Sequence, residues 1–305
     1  MAIFQIGKAD NLEVIKENPF KLEKDIQSLT EKNLSIIFGL ECVKSECALN
    51  NFRLDTLAFD NDSKAFVIIE YKRDKNFSVI DQGYAYLSLL LNNKADFILE
   101  YNENLKGTLK RDDIEWSQSR VLFVAPSFTT YQKEAINFKD LPIELWEVKR
   151  YNNQTVNYNQ IKTPGSQESI KTISREDDTV DKVTKEIKVY TESEHLIKGS
   201  ELTRELYETL KNAILNLDDL ELKPKKKYIG FIANSNVVDV HIQKKTLKMW
   251  INLHKGFLDD PKKLARDVSE IGHWGNGDYE ILMTSEDEID YILTLIKQSL
   301  VKNKK

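Results

Sequence analysis

The sequence predicts an α/β N-terminal domain built on a mixed sheet, followed by a smaller α+β domain. Three observations predict it. Helical and strand patterns alternate from residue 20 to about residue 150, a polar stretch without apolar periodicity runs over residues 152–194, and a second set of periodic segments begins at Thr203. With 305 residues, 41% of them hydrophobic, the chain can bury a core in each half.

Leu22, Ile26 and Leu29 recur at helical spacing, so the first element is an amphipathic helix running toward Asn33. Residues 52–59 and the apolar run 65–71 flank the turn residues Asp60, Asn61, Asp62 and Ser63, which predicts a β-hairpin. Ser78 fits the N-cap of a second helix that turns Ile80, Tyr84, Leu87 and Leu91 toward the core. Further strands are expected at 97–101, 121–125 and 143–148, with a short helix at 131–138 between the last two. These elements fill a domain of residues 1–155. A polar linker is expected over 156–196, containing Pro164, Gly165 and a strand at 187–190. Residues 197–305 form the second domain: a helix at 203–217, strands at 228–233, 238–242 and 247–253, a helix at 264–271, a strand at 279–284 and a closing helix at 286–300.

Composition narrows the function classes. No stretch approaches the roughly 18 to 20 consecutive apolar residues of a membrane span, and the first eleven residues lack the apolar segment of a secretory signal. Cys42 and Cys47 supply neither a disulfide framework nor a zinc site, and His241 and His254 lack partners at metal-ligand spacing. The expected setting is cytoplasmic, with no membrane partner. The net charge of −5 argues against indiscriminate coating of nucleic acid, so local basic clusters matter more than the total.

One pattern carries chemistry. Alternation along a strand puts Glu70 and Lys72 on one face and Tyr71 on the other, and pairing across the short turn brings Asp55 near Glu70. Two carboxylates can hold a hard divalent cation, and an ammonium beside them can orient water and stabilise charge on a phosphate. Alone, the D…ExK pattern is weak evidence, and without context an ion pair at a strand end is the favoured reading.

The surrounding sequence adds context. The segments Leu29-Thr30-Glu31-Lys32-Asn33-Leu34, Ser45-Glu46-Cys47, Arg53-Leu54-Asp55-Thr56-Leu57, Val67-Ile68-Ile69-Glu70-Tyr71-Lys72-Arg73, Asp81-Gln82-Gly83-Tyr84-Ala85-Tyr86-Leu87 and Lys94-Ala95-Asp96-Phe97 follow in order. Together they resemble the PD-(D/E)XK nuclease superfamily, in the branch similar to archaeal single-strand and mismatch endonucleases and restriction-like proteins. The resemblance implies a restriction-endonuclease-like core and a Mg²⁺-dependent endonuclease acting on nucleic acid, DNA in preference to RNA, in restriction or defence, with Mn²⁺ able to substitute. It implies Asp55, Glu70, Lys72, Gln82 and Glu31 as catalytic residues, Glu23 being the alternative to Glu31 from the first helix, and groups Asp55, Glu70 and Tyr71 at the metal. Glu46 matches too, although an ion pair with Arg53 or Lys72 explains it equally well. For nucleic-acid binding the candidates are Arg73, Lys75, Tyr86, Lys110 and Arg111, with Tyr71, Phe77 or Tyr84 as stacking rings. The competing class is a non-catalytic binding or regulatory module that keeps the nuclease fold.

The second domain carries Lys227-Tyr228-Ile229-Gly230-Phe231, Leu247-Lys248-Met249-Trp250-Ile251-Asn252-Leu253 and Gly272-His273-Trp274-Gly275-Asn276-Gly277-Asp278-Tyr279. These resemble a small uncharacterised domain at the ends of defence-associated proteins, which implies selection of substrate or partner, either a second copy or another protein. The three glycines of 272–277 suit a tight turn with exposed rings. Lys223, Lys225, Lys226 and Lys227 form the most basic patch, equally suited to phosphate contact and to a solvated loop.

Overall fold

The computed structural model describes residues 2–50, 52–73, 77–138, 140–162, 168–170 and 178–303. The chain divides into two compact units, Met1–Val189 and Tyr190–Lys305. Among the described residues, no helix is long and apolar enough to cross a membrane.

The first unit opens with an antiparallel hairpin, β1 (Ile3–Ile6) and β2 (Leu12–Ile15), followed by α1 (Glu23–Glu31) and α2 (Leu34–Phe38). Its sheet starts with β3 (Glu41–Leu49), β4 (Phe52–Asp60) and β5 (Ala65–Tyr71), then continues after α3 (Val79–Asn92) and α4 (Lys94–Leu105) with β6 (Arg120–Ala125). After α5 (Thr130–Ala135) come β7 (Ile143–Arg150) and β8 (Val156–Gln160), and α6 (Asp178–Glu186) closes the unit. The six strands lie in sequence order; β5, β6 and β7 run parallel and the outer pairs antiparallel, giving the expected mixed α/β sheet.

Helices cover both faces. Leu57, Phe59, Phe66 and Ile68 share a core with Leu87 and Leu90 of α3 and Phe97 of α4. Ala58, Val67, Ile69 and Tyr71 pack with Ile26 of α1 and Leu34 of α2. All seven residues of β5 are buried, which is why it reads as one continuous apolar run. Ser78 caps α3 as expected, its hydroxyl accepting from the Asp81 N–H.

Three expectations need correction before the second unit is reached. Residues 97–101 are not a strand but the middle of α4. Phe97 and Tyr101, four apart, share a helix face and pack on Phe66 and Phe59, and this overrides their strand propensity. The expected linker over 156–196 contains β8, α6 and α7 (Glu192–Leu196), and the units divide at Val189. Within it Val183 and Ile187 are buried in the first core, so 187–190 is not a strand and a narrow helical stripe lay hidden in polar sequence.

The second unit holds α7, α8 (Glu201–Leu215), β9 (Glu221–Pro224), β10 (Ile229–Ile232), β11 (Asn236–Ile242), β12 (Leu247–Ile251), β13 (Arg266–Asp267), β14 (Tyr279–Met283) and α9 (Ile289–Asn303). All strand pairs are antiparallel, in the order β13-β14-β12-β11-β10-β9. Leu206, Leu210, Ile292 and Ile296 of α8 and α9 share a core with Val238, Val240, Met249 and Ile281 of the sheet. The expected helix at 264–271 is instead the short edge strand β13 with its turn: Asp260 accepts from the Ala265 N–H and Asp267 from the Ser269 N–H, side-chain bonds that compete with helical ones.

Candidate active site

The β4–β5 ladder ends at the pair Thr56 and Ile69. One step further the strands part, and Asp55 Oδ2 accepts the Tyr71 N–H at 2.9 Å in place of a backbone acceptor. That bond holds the Asp55 carboxylate at the end of the hairpin, beside Glu70. Burial and the Glu70 charge push the Asp55 carboxyl up to about 6, against the opposing pull of the Tyr71 N–H and Lys72. Its second oxygen, Oδ1, accepts no hydrogen bond among the described residues.

Glu70 is 4% exposed, yet both its oxygens are satisfied. Oε1 accepts from Lys72 Nζ at 2.7 Å and Gln82 Nε2 at 2.8 Å, and Oε2 accepts from the Tyr86 hydroxyl at 3.0 Å. Gln82 and Tyr86 stand four apart on α3, and Gln82 Nε2 also donates to the Tyr86 oxygen at 2.8 Å. The Lys72 N–H extends the pairing of β5 with β6 by donating to the Val124 carbonyl at 3.0 Å, and its ammonium lies 5.8 Å from the centre of the Phe77 ring. Asp55, Glu70, Lys72 and Gln82 therefore meet, the first three at the end of the hairpin and Gln82 from α3.

The acids of the first helix do something else. Glu31 Oε1 accepts from the Thr56 hydroxyl at 2.6 Å and Gln27 Nε2 at 3.0 Å, on the face of the sheet that carries Tyr71. Its expected catalytic place is corrected to that of a strand anchor. Glu23 accepts the Arg73 N–H at 2.9 Å, fixing the chain just after Lys72. Glu46 pairs with Arg53 and Lys24. Sequence reasoning missed Gln27, which is buried and donates to the Asp55 carbonyl at 2.9 Å. Its place on the polar stripe Glu23, Gln27, Glu31 was the available signal.

Several binding candidates are also corrected. The Tyr71 phenol is buried in the α1 face, where it accepts from Thr56, so the ring is not available for stacking; Tyr71 contributes its N–H to Asp55. Tyr84 and Tyr86 are buried, and Tyr86 supports Glu70 rather than a base. Lys110 and Arg111 are exposed but lie in the segment leading to Glu115, whose N–H donates to the Lys64 carbonyl at the β4–β5 turn. That turn is the opposite end of β5 from Glu70, roughly 20 Å away at the usual rise per strand residue. The Arg73 guanidinium donates to the Lys21 carbonyl. Lys75 lies outside the described residues.

Among the described residues no group of three or more His, Cys, Asp and Glu is gathered as a metal cage. The pair Asp55 and Glu70 still suits a hard cation that keeps much of its water: two oxygen donors are fixed near each other, and burial together with the Glu70 charge raises Asp55.

Residues 192–300 match a family described as a domain of unknown function, DUF5655. A protein of Haemophilus influenzae (strain ATCC 51907 / DSM 11121 / KW20 / Rd), described as uncharacterized, is 52% identical over 301 residues, covering 98% of this chain and 99% of its own. Among solved structures, a repair endonuclease from Pyrococcus abyssi is 22% identical with a TM-score of 0.27, over 40% of this chain and 45% of its own. The alignment thus spans less than half of that enzyme. An EndoMS–dsDNA complex is 16% identical with a TM-score of 0.27, over 48% of this chain and 65% of its own. Pyrococcus furiosus SfsA in complex with Ca²⁺ is 14% identical with a TM-score of 0.25, over 52% and 74%.

Proposed function

The chain belongs to one family with the uncharacterized Haemophilus influenzae protein, and we propose that its N-terminal unit is a Mg²⁺-dependent endonuclease that hydrolyses phosphodiester bonds of DNA. The observation that carries this reading is the meeting of Asp55, Glu70, Lys72 and Gln82, with the Asp55 carboxyl pushed up to about 6 by burial and its neighbour Glu70. Two carboxylates held together at an electrostatic cost suit a cation, and a module that only bound phosphate would be hindered by them.

Asp55 and Glu70 would hold the cation, with Mn²⁺ able to serve in place of Mg²⁺. A bound divalent ion supplies charge neutralisation at the phosphate and a water of lowered pKa. The remaining work belongs to the chain. Gln82 and Tyr86 donate to both Glu70 oxygens and so fix the direction of its carboxylate. The Tyr71 N–H does the same for Asp55 and leaves Oδ1 available. Lys72 Nζ sits 2.7 Å from Glu70 Oε1, the position from which an ammonium can donate to a water or to a non-bridging phosphate oxygen. Water adds to phosphorus and gives up a proton to solvent, one P–O ester bond breaks, and the leaving oxygen takes a proton from solvent.

Purified full-length chain incubated with single- and double-stranded DNA should cleave in Mg²⁺ or Mn²⁺, remain inert in EDTA, and lose activity on Glu70→Gln. Cleavage of neither form with either metal, or full activity of Glu70→Gln, overturns the assignment.

A further inference from the structure

The second unit has an exposed ring that its fold takes trouble to fix. Trp274 is 52% exposed, on the loop between β13 and β14. That loop is pinned from beneath. A Cβ on Gly275 would come within 2.4 Å of the Trp250 ring, and one on Gly277 within 1.7 Å of the Ile251 carbonyl oxygen, so both glycines lie flat against β12 and its end. Between them Asn276 donates its N–H to the buried Asp239 carboxylate at 2.8 Å and its side-chain amide to the Tyr228 hydroxyl at 2.8 Å. Large exposed aromatics on rigid loops bind at low entropic cost.

One cation lies over this ring. Lys227 Nζ lies 4.7 Å from the centre of the Trp274 ring, and among the described residues it forms no ion pair. The His241 ring meets Trp274 edge-on at 5.0 Å, and its Nδ1 bonds the Lys227 carbonyl, which leaves Nε2 as its other polar atom. Burial holds His241 below the usual histidine range, against the pull of its bond to the Lys227 carbonyl, and the charges of Lys198, Lys248 and Lys227 add to the lowering. Two acids share this sheet face: Glu280 pairs with Lys248 and Arg266, and the Asp239 carboxylate accepts from the Asn236 amide and the Asn276 N–H. Lys227 and Trp274 are 47 residues apart, and only the fold joins the basic run to the glycine loop.

We propose that Trp274, Lys227 and His241 form a nucleotide-binding platform for single-stranded nucleic acid, with an unpaired base stacked on the indole and its phosphate held by Lys227. A ring with a releasable ammonium over it matches a ligand that joins a π-face to an anion: the base takes the ring and the phosphate takes the cation. The platform deepens the nuclease reading by giving the second unit a substrate-holding role, but it requires no catalysis.

The test uses the full-length chain in EDTA, so that cleavage plays no part, and a fluorescent 20-nucleotide oligothymidylate followed by anisotropy. Trp274→Ala should weaken binding roughly ten-fold or more, the range for loss of one stacked base, and Trp274→Phe should recover part of it. Lys227→Ala should weaken binding and lower the salt slope by about one phosphate contact. Photo-crosslinking with 5-iodo-deoxyuridine should place an adduct on Trp274. Unchanged affinity in both alanine variants, or adducts confined to the first unit, overturns the platform and leaves the ring to a protein partner. Failure of the nuclease reading is seen separately: wild-type chain that binds the oligonucleotide through Trp274 yet cleaves nothing in Mg²⁺ or Mn²⁺ sinks the catalytic site and spares this one.

Discussion

Asp55→Asn should make the metal-free protein more stable at pH 8, although it removes half of the proposed metal site. An aspartate titrates near 4 in an unfolded chain, whereas burial and Glu70 push Asp55 up to about 6 in the folded state. Between those values the folded protein still holds a proton that the unfolded chain has released. Stability therefore falls as pH rises through that window, and the full penalty is present above about pH 7. A separation of about two pH units corresponds to ~3 kcal/mol as a ceiling. Asp55 is only partly buried, and solvent screening reduces the expected effect to roughly 1–2 kcal/mol. The asparagine amide oxygen can still accept the Tyr71 N–H, so the bond that orients residue 55 survives the change.

Urea unfolding of both proteins in EDTA, at steps from about pH 3 to pH 8, reads the difference directly. The variant should gain on the wild type as pH rises and match it at about pH 3, below the unfolded value, where both states of the wild type are protonated. Added Mg²⁺ should stabilise the wild type by mass action and leave the variant unmoved. A variant that is less stable at pH 8, or a difference that ignores pH, would refute the claim that Asp55 is held against Glu70 at an electrostatic cost.

Lys72→Ala should lower single-turnover cleavage by roughly two orders of magnitude or more, as for loss of one preorganised charged donor, with Mn²⁺ affinity retained and Lys72→Arg giving partial rescue; near-wild-type cleavage would return the lysine to a plain ion pair. Tyr86→Phe removes a donor from a buried carboxylate, and should cost about 1–2 kcal/mol in urea unfolding while slowing cleavage without weakening DNA binding. A fragment of residues 1–189 should unfold cooperatively, whereas one ending at 160 loses the buried Val183 and Ile187, roughly 1.5–3 kcal/mol for each side chain, and should be markedly less stable or fail to fold.

What could be read from the sequence was set by how local its cause is. Glu70 and Lys72 share a face because strands alternate, and Gln82 and Tyr86 share one because helices repeat near four, so the spacing alone brought these residues together. Which face of the sheet α1 covers is a tertiary fact. Glu31 carries a carboxylate at a matching landmark, yet α1 packs on the side of Tyr71 and Ala58, and its acid meets Thr56 instead. The strand β3 escaped notice for a related reason. Its register shifts between Cys42 and Lys44 and Glu46 sits at a φ of 52°, so the alternation that marks a strand is broken where it would have been counted.

The glycines of the second unit show how one residue type can be read correctly in importance and wrongly in cause. Gly272, Gly275 and Gly277 suggest a tight turn, in which glycine supplies a left-handed backbone. None of the three has a positive φ among the described residues, whose left-handed glycines are Gly39 and Gly256. Gly275 and Gly277 are small because Trp250 and the Ile251 carbonyl lie against them. A side chain there would lift the loop from the sheet, separating Asn276 from Asp239 and Trp274 from Lys227. Gly272, with nothing within 4 Å of an added Cβ, should accept alanine with little effect, while Gly275→Ala should cost stability and oligonucleotide binding together. The contrast between those two variants separates close approach from turn geometry.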